Sequence, residues 1–181
     1  VQYVACAGNF KDAGLEYTGA LKVLQMIFSY EYLWIQIRVK GGAYGCMCSF
    51  SDQGDSMFVT YRDPNLSESY KVYDEAADYV ADFDADDRDM KKYIIGTIGS
   101  MDMPMEAVDM GARSFHAYFL GKTEADLQKE RDQELSCTQE DIRALAPIVK
   151  AVVEAGNRCC IGNEEKIDQN KEYFDEVKHV L

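Results

Sequence analysis

Apolar and polar positions repeat at two different periods along this chain, and the changes of period divide it into elements. Residues 1–7, Val1 to Ala7, are rich in β-branched and aromatic side chains and stop at Gly8-Asn9, which predicts a strand. From Thr18 to Val39 the polar residues Lys22, Gln25, Ser29 and Gln36 fall on one stripe at helical spacing, with apolar residues on nearly every other side. A helix apolar most of the way round is a buried one, so this segment is the expected central helix. Residues 45–51 and 56–62 predict two strands joined through Asp52-Gln53-Gly54-Asp55, a hairpin.

Asp63-Pro64-Asn65 ends the second of these strands, and Asn65 and Glu68 stand at the spacing of a helix N-cap and its third residue. The predicted core stripe of that helix is Leu66, Tyr70, Tyr73, Ala77 and Val80. The acidic run from Asp82 to Asp89 lacks the central glycine and closing glutamate of a calcium loop, so it reads as the negatively charged start of a helix from Asp86 to Met101. Pro104 opens the next helix, with Met105, Val108, Ala112, Phe115 and Phe119 as an expected core stripe up to Gly121. A charged helix follows over Glu124–Glu134, and Thr138 to Asp141 form a capping-box variant. That box opens a helix with Ile142, Leu145, Val149 and Val152 inward and Gly156 as its stop. Asn157–Ile161 predicts a last strand, and Asn163 caps a terminal helix with Ile167, Phe174, Val177 and Leu181 on one face. The order predicts a single α+β domain over residues 1–181, a mainly antiparallel sheet packed on one face by helices.

Composition excludes several classes of function. At 47% hydrophobic and 28% charged, the chain has the make-up of a folded domain rather than a disordered one. Its net charge of −13 argues against nucleic-acid binding, which needs clustered cations to neutralise phosphates. The longest apolar run, Ala20 to Val39, is interrupted by Lys22, Gln25, Ser29, Glu31, Gln36 and Arg38, so no membrane span is expected. Six cysteines at spacings unlike zinc-ligand pairs are expected to be reduced and mostly buried, in a cytoplasmic compartment or an organelle matrix. The chain opens on Val1 and runs directly into a strand, and so reads as a piece of something longer.

Catalytic chemistry is hard to find in it. The two histidines, His116 and His179, lie in no inverted zinc motif, and no nucleophile elbow, phosphate-binding glycine loop or cysteine–histidine pair is present. No metal is expected in this chain and, taken alone, it is expected to be inactive. One stretch stands apart. In Leu33-Trp34-Ile35-Gln36-Ile37-Arg38-Val39-Lys40-Gly41-Gly42-Ala43-Tyr44-Gly45, a long apolar segment delivers an arginine, breaks at two glycines and presents a tyrosine at the entry to the hairpin. A guanidinium and a phenol on either side of a bend offer donors to a peptide carbonyl or a developing oxyanion. The spacing equally suits a solvated helix-end arginine that interacts with the last carbonyls, beside a strand-entry aromatic.

The run Arg38-Val39-Lys40-Gly41-Gly42-Ala43-Tyr44-Gly45, with Tyr61-Arg62-Asp63-Pro64 downstream, resembles the last domain of presequence-protease-type metallopeptidases of the pitrilysin and insulinase family. The resemblance extends over essentially the whole chain. It implies a LuxS/processing-peptidase-like domain in a four-domain zinc endopeptidase that degrades unstructured peptides inside a closed chamber. Zinc would be bound by another domain, and the partners would be a peptide substrate and the other domains of the same chain. The resemblance further implies that Arg38 and Tyr44 are catalytic and that Arg38, Gly41, Gly42 and Tyr44 bind substrate backbone. The alternative is a non-catalytic scaffold or peptide-binding domain of the same fold.

Overall fold

A computed structural model describes residues 1–179. Four strands, β1 (Tyr3–Asn9), β2 (Gly45–Phe50), β3 (Asp55–Tyr61) and β4 (Asn157–Ile161), form one antiparallel sheet in the order β2-β3-β1-β4. Alternation along the strands decides what each face meets. Val4, Cys6, Cys48, Phe50, Phe58 and Thr60 are buried beneath the helices, whereas Tyr3, Met47, Met57, Tyr61 and Ile161 look outward on the other face and are exposed. The expected α+β architecture, with helices on one face of the sheet, is the one observed.

The core is dense in aromatic rings. Phe28, Phe50, Phe58 and Tyr73 are each at most 1% exposed, and Phe28 meets Phe58 edge-on at 5.7 Å between centroids. The buried tyrosines find acceptors for their hydroxyls: Tyr73 donates to the Val4 carbonyl (3.1 Å) and Tyr70 to that of Cys159 (3.0 Å). Such bonds remove the penalty of burying a phenol.

The segment expected as one buried helix begins as α1 (Ala20–Ile27) and then widens into π-helical turns over Phe28–Tyr32 and Trp34–Lys40. Its first half is buried nearly all round, as the pattern predicts. Its second half buries Leu33, Ile37 and Tyr32, whose ring stacks on that of Tyr79 at 4.5 Å, but leaves Trp34, Ile35 and Val39 exposed on its other side.

The helix after β3 is split into α2 (Ser67–Asp74) and α3 (Ala76–Ala81), and the predicted stripe is buried except for the half-buried Ala77. Asn65 is not its cap. The Asn65 side-chain amide donates to the Gly41 carbonyl instead (2.6 Å), while Asp63 accepts from the Asn65 amide (2.9 Å) and from the Ser69 hydroxyl (2.6 Å). Asp86 caps α4 (Asp87–Met101) through the amides of Arg88 and Asp89, so the acidic run is a helix start.

Helix α5 (Ala107–Phe119) starts three residues later than predicted, after Glu106, so Pro104 and Met105 lie outside it, and none of its residues is buried: Val108, Phe115 and Phe119 are each more than 60% exposed. The apolar stripe makes the helix amphipathic without supplying it with a partner, and an open groove of about 1170 Å³ separates it from α6 (Glu124–Leu135). The expected helix from Thr138 is capped as predicted but runs as α7 (Gln139–Arg143) and α8 (Ala146–Glu154). Pro147 cannot donate to Arg143, and its ring crowds that carbonyl, so the helix breaks there while Ile142, Leu145, Val149 and Val152 stay buried. The terminal helix is shorter than expected: α9 covers Glu164–Asp168, after Asn163 as cap. Asn170 donates its side-chain amide to the Lys166 carbonyl (2.8 Å), and beyond it Phe174 packs on Tyr70 from an extended segment. Val177 is exposed, and Leu181 of the predicted face lies outside the described residues.

Candidate functional site

Arg38 sits in the last π-helical segment, four residues after Trp34. Its guanidinium carbon lies 4.1 Å from the centre of the Trp34 ring and 5.9 Å from that of Tyr44. Cation–π attraction of this kind holds the faces of the guanidinium and leaves its in-plane N–H donors free. Among the described residues no side-chain hydrogen bond or ion pair involves Arg38, in contrast to Arg131 and Arg158, which bind Asp102 and Asp74.

The double glycine turns the chain from helix to strand. The Gly41 amide donates to the Gln36 carbonyl (3.0 Å), the Gly42 amide to Arg38 (3.0 Å) and the Ala43 amide to Ile37 (3.1 Å), which satisfies the final carbonyls of the segment. Gly42 has φ +80°, and a Cβ on Gly41 would lie 2.5 Å from the Ile37 carbonyl oxygen, so each glycine is required for its own reason. Asn65 fastens the bend through Gly41, and buried Ala43 anchors the other side. Tyr44 then emerges 66% exposed, and among the described residues no hydrogen bond involves its hydroxyl.

The structure thus brings Arg38 and Tyr44 together around the bend made by Gly41 and Gly42. It also gathers Tyr3, to which the sequence pattern gave no part in the site, and Tyr61 and Arg62, which it singled out only in the run that carries the resemblance and not as site residues. Tyr61 packs edge-on against Tyr44 (5.7 Å) and against Tyr3 (5.4 Å), and the Arg62 guanidinium carbon lies 5.6 Å from the Tyr61 ring centre. The Tyr44 amide donates to the Arg62 carbonyl (3.3 Å). Trp34 was findable, since it precedes Arg38 by one helical turn. Tyr3 and Tyr61 depend on strand pairing between β1 and β3, which local spacing does not encode.

Neither histidine joins this cluster. His116 lies on exposed α5, and His179 is 3.6 Å from Glu164. Among the described residues no three histidine, cysteine, aspartate or glutamate side chains converge as a metal site. The six thiols are unpaired: Cys6, Cys48 and Cys137 are buried, Cys46 and Cys160 half-buried and Cys159 exposed, so fewer are buried than the sequence led us to expect. Burial pushes the Cys6, Cys46 and Cys160 thiols up to about 11, which makes them poor nucleophiles near neutrality. No helix among the described residues is long and apolar enough to cross a membrane.

Residues 1–163 match the family described as PreP C-terminal domain. The chain is 43% identical over 181 residues to Protein HypA of Clostridium perfringens, covering all of this chain and 19% of that protein. It is 34% identical over 185 residues to presequence protease 1, chloroplastic/mitochondrial, of Arabidopsis thaliana, covering all of this chain and 17% of that protein. The chain therefore spans about a fifth of the length of these curated relatives. Among solved structures, the inactive peptidase domain of a candidate zinc protease from Bordetella parapertussis superposes with a TM-score of 0.65 at 14% identity, over 88% of this chain and 90% of that one, a likeness of fold. By the family match and by these relatives, the chain belongs to the family of presequence-protease C-terminal domains.

Proposed function

We propose that this chain is the C-terminal, zinc-free domain of a zinc metalloendopeptidase that degrades unstructured peptides in a closed chamber, and that Arg38 and Tyr44 bind substrate backbone and stabilise the oxyanion. The observation that carries this reading is the pairing itself. A guanidinium and a phenol share one exposed bend, 5.9 Å from guanidinium carbon to ring centre, with the hydrogen-bonding groups of both open to a ligand.

Among the described residues no side chains converge as a zinc site, and in this reading the metal and the water it would activate are held by another domain of the parent protein. What this chain supplies follows from its own donors. The Arg38 N–H groups and the Tyr44 hydroxyl point charge-stabilising hydrogen bonds at a peptide carbonyl, and the Gly41–Gly42 backbone lets an extended peptide approach without meeting a Cβ. An oxyanion formed at that carbonyl draws more from the same donors than the neutral carbonyl does, and that difference lowers the barrier. Because the donors and the metal lie on different domains, activity requires the domains to close around the peptide. The names of presequence proteases from Arabidopsis thaliana and Aspergillus fumigatus place those proteins in chloroplasts or mitochondria, which supports an organelle matrix, or the cytoplasm of a bacterium, as the compartment of this one.

The test is peptide hydrolysis by the full-length protein carrying Arg38→Ala or Tyr44→Phe, with zinc content measured in parallel. We expect kcat to fall at least tenfold while zinc stays bound; removing one oxyanion donor costs about a hundred- to a thousandfold in rate. Unchanged rates would make the pair architectural and favour the scaffold reading.

A further inference from the structure

We infer that Arg62 is a specificity-determining residue that binds a carboxylate of the substrate beside the Arg38–Tyr44 pair. The inference rests on the reading that this pair faces a peptide. Its own evidence is separate and begins with the backbone. Arg62 has φ +50°, the sole non-glycine residue with positive φ among those described. Left-handed backbone is sparsely populated by branched or long side chains, and a residue kept there is a pointer to function. Glycine would occupy the position without strain.

The strained conformation does two things at once. It lets the Arg62 carbonyl accept the Tyr44 amide (3.3 Å), and it ends β3 so that the next residue, buried Asp63, pairs with Gln2 through both backbone groups (2.7 and 2.8 Å). Glycine could make both of these backbone contacts, so they do not explain the side chain. That side chain is exposed, rests 5.6 Å from the Tyr61 ring centre with the Tyr3 hydroxyl beside it as a neutral hydrogen-bonding neighbour, and enters no ion pair among the described residues. Tyr61 in turn touches Tyr44 edge-on, so a second open guanidinium stands on the same aromatic cluster as Arg38.

In a chain with 19 basic and 32 acidic residues, two uncompensated arginines on one exposed cluster make a local cationic site on an anionic domain. Arg38 is committed to a peptide carbonyl. Arg62 then offers the planar fork that suits a carboxylate, either a glutamate or aspartate side chain near the bond cut or the free C-terminus of a short peptide.

The experiment uses the full-length protein and one parent peptide in three forms: with a glutamate placed in turn at each position flanking the cleaved bond, with glutamine in its place, and with a free or an amidated C-terminus. The variants are Arg62→Gly, Arg62→Lys and, as a reference for the underlying reading, Arg38→Ala. We expect wild-type enzyme to prefer glutamate over glutamine at one position, or the free over the amidated terminus, by about tenfold in KM, the size of one charge-assisted hydrogen bond. Which comparison shows the preference identifies the source of the carboxylate. Arg62→Gly should abolish the preference while thermal stability holds or rises, because glycine relieves the strained backbone, and Arg62→Lys should retain part of it. Wild-type enzyme indifferent to every charge exchange, or an Arg62→Gly variant equally slowed on all peptides, would overturn the inference. Arg38→Ala separates the two failures: a loss of kcat on all peptides keeps the proposed function standing even when Arg62 proves unselective.

Discussion

The Arg38 guanidinium carbon rests 4.1 Å from the centre of the Trp34 ring, so the side chain proposed to touch substrate is positioned by a neighbour one helical turn earlier. Replacing that ring should free the arginine to sample other rotamers. Trp34→Ala is expected to lower kcat of the full-length protein by about tenfold, and Trp34→Phe to restore most of it, since a smaller aromatic face still attracts the cation. Steady-state kinetics on a single peptide would show the difference, and equal loss in both variants would reassign Trp34 to packing.

The two glycines of the bend should differ in cost. Gly42→Ala forces an alanine to φ +80° and is expected to cost about 1–2 kcal/mol. Gly41→Ala drives a Cβ to within 2.5 Å of a backbone oxygen and should cost more, because the segment end itself has to shift. Denaturant melts of the two variants give the order directly.

Glu134 on α6 is 0% exposed, and neither of its carboxyl oxygens has a hydrogen-bond partner. Burial, reinforced by neighbouring Glu130, raises its pKa to about 7. Since the ordinary glutamate value is lower, the folded chain holds this proton where the unfolded chain has released it. Stability from this group is therefore full below the unfolded value and lost as pH rises toward 7, by up to about 3 kcal/mol. Glu134→Gln should be the more stable form above pH 7 and should flatten the pH dependence between about 4.5 and 7, as thermal midpoints at several pH values would reveal.

Two phenylalanines offer a contrast between pattern and environment. Phe58, fully buried under the helices, should cost about 3–5 kcal/mol as Phe58→Ala. Phe115, 66% exposed on α5, should cost less than about 0.5 kcal/mol as Phe115→Ser. A substantial loss for Phe115→Ser would mean that α5 packs onto this same chain.

That contrast marks where sequence reasoning holds. Alternation in β1 and β3, the Asp52–Asp55 turn, the acidic start at Asp86 and the capping residues Thr138 and Asn163 are local signals, and each opened the element it implies. Pro147 was equally visible, and its break in the helix follows from its missing amide. The burial of α5 was not legible, because an apolar stripe specifies that a helix has a sticky face without specifying what covers it. Asn65 illustrates the same limit at one residue: its spacing suits a cap, yet a carbonyl 24 residues earlier in the chain competes for its amide and wins. At the site, Arg38, the glycines and Tyr44 were readable from one short run. The ring of Tyr3, Tyr61 and Arg62 exists only once β1 lies beside β3.

The wide turns over Phe28–Tyr32 and Trp34–Lys40 act as a phase adjustment between the core and the bend. In such a segment the number of residues fixes the direction in which Arg38 leaves the axis, and the apolar contacts of Tyr32, Leu33 and Ile37 fix its position. An insertion or deletion of one residue there would turn Arg38 away from Tyr44 and carry Ile37 out of its buried place with it. Aim and core packing are thereby tied together in one segment, so the direction of Arg38 is held by the same contacts that hold the domain.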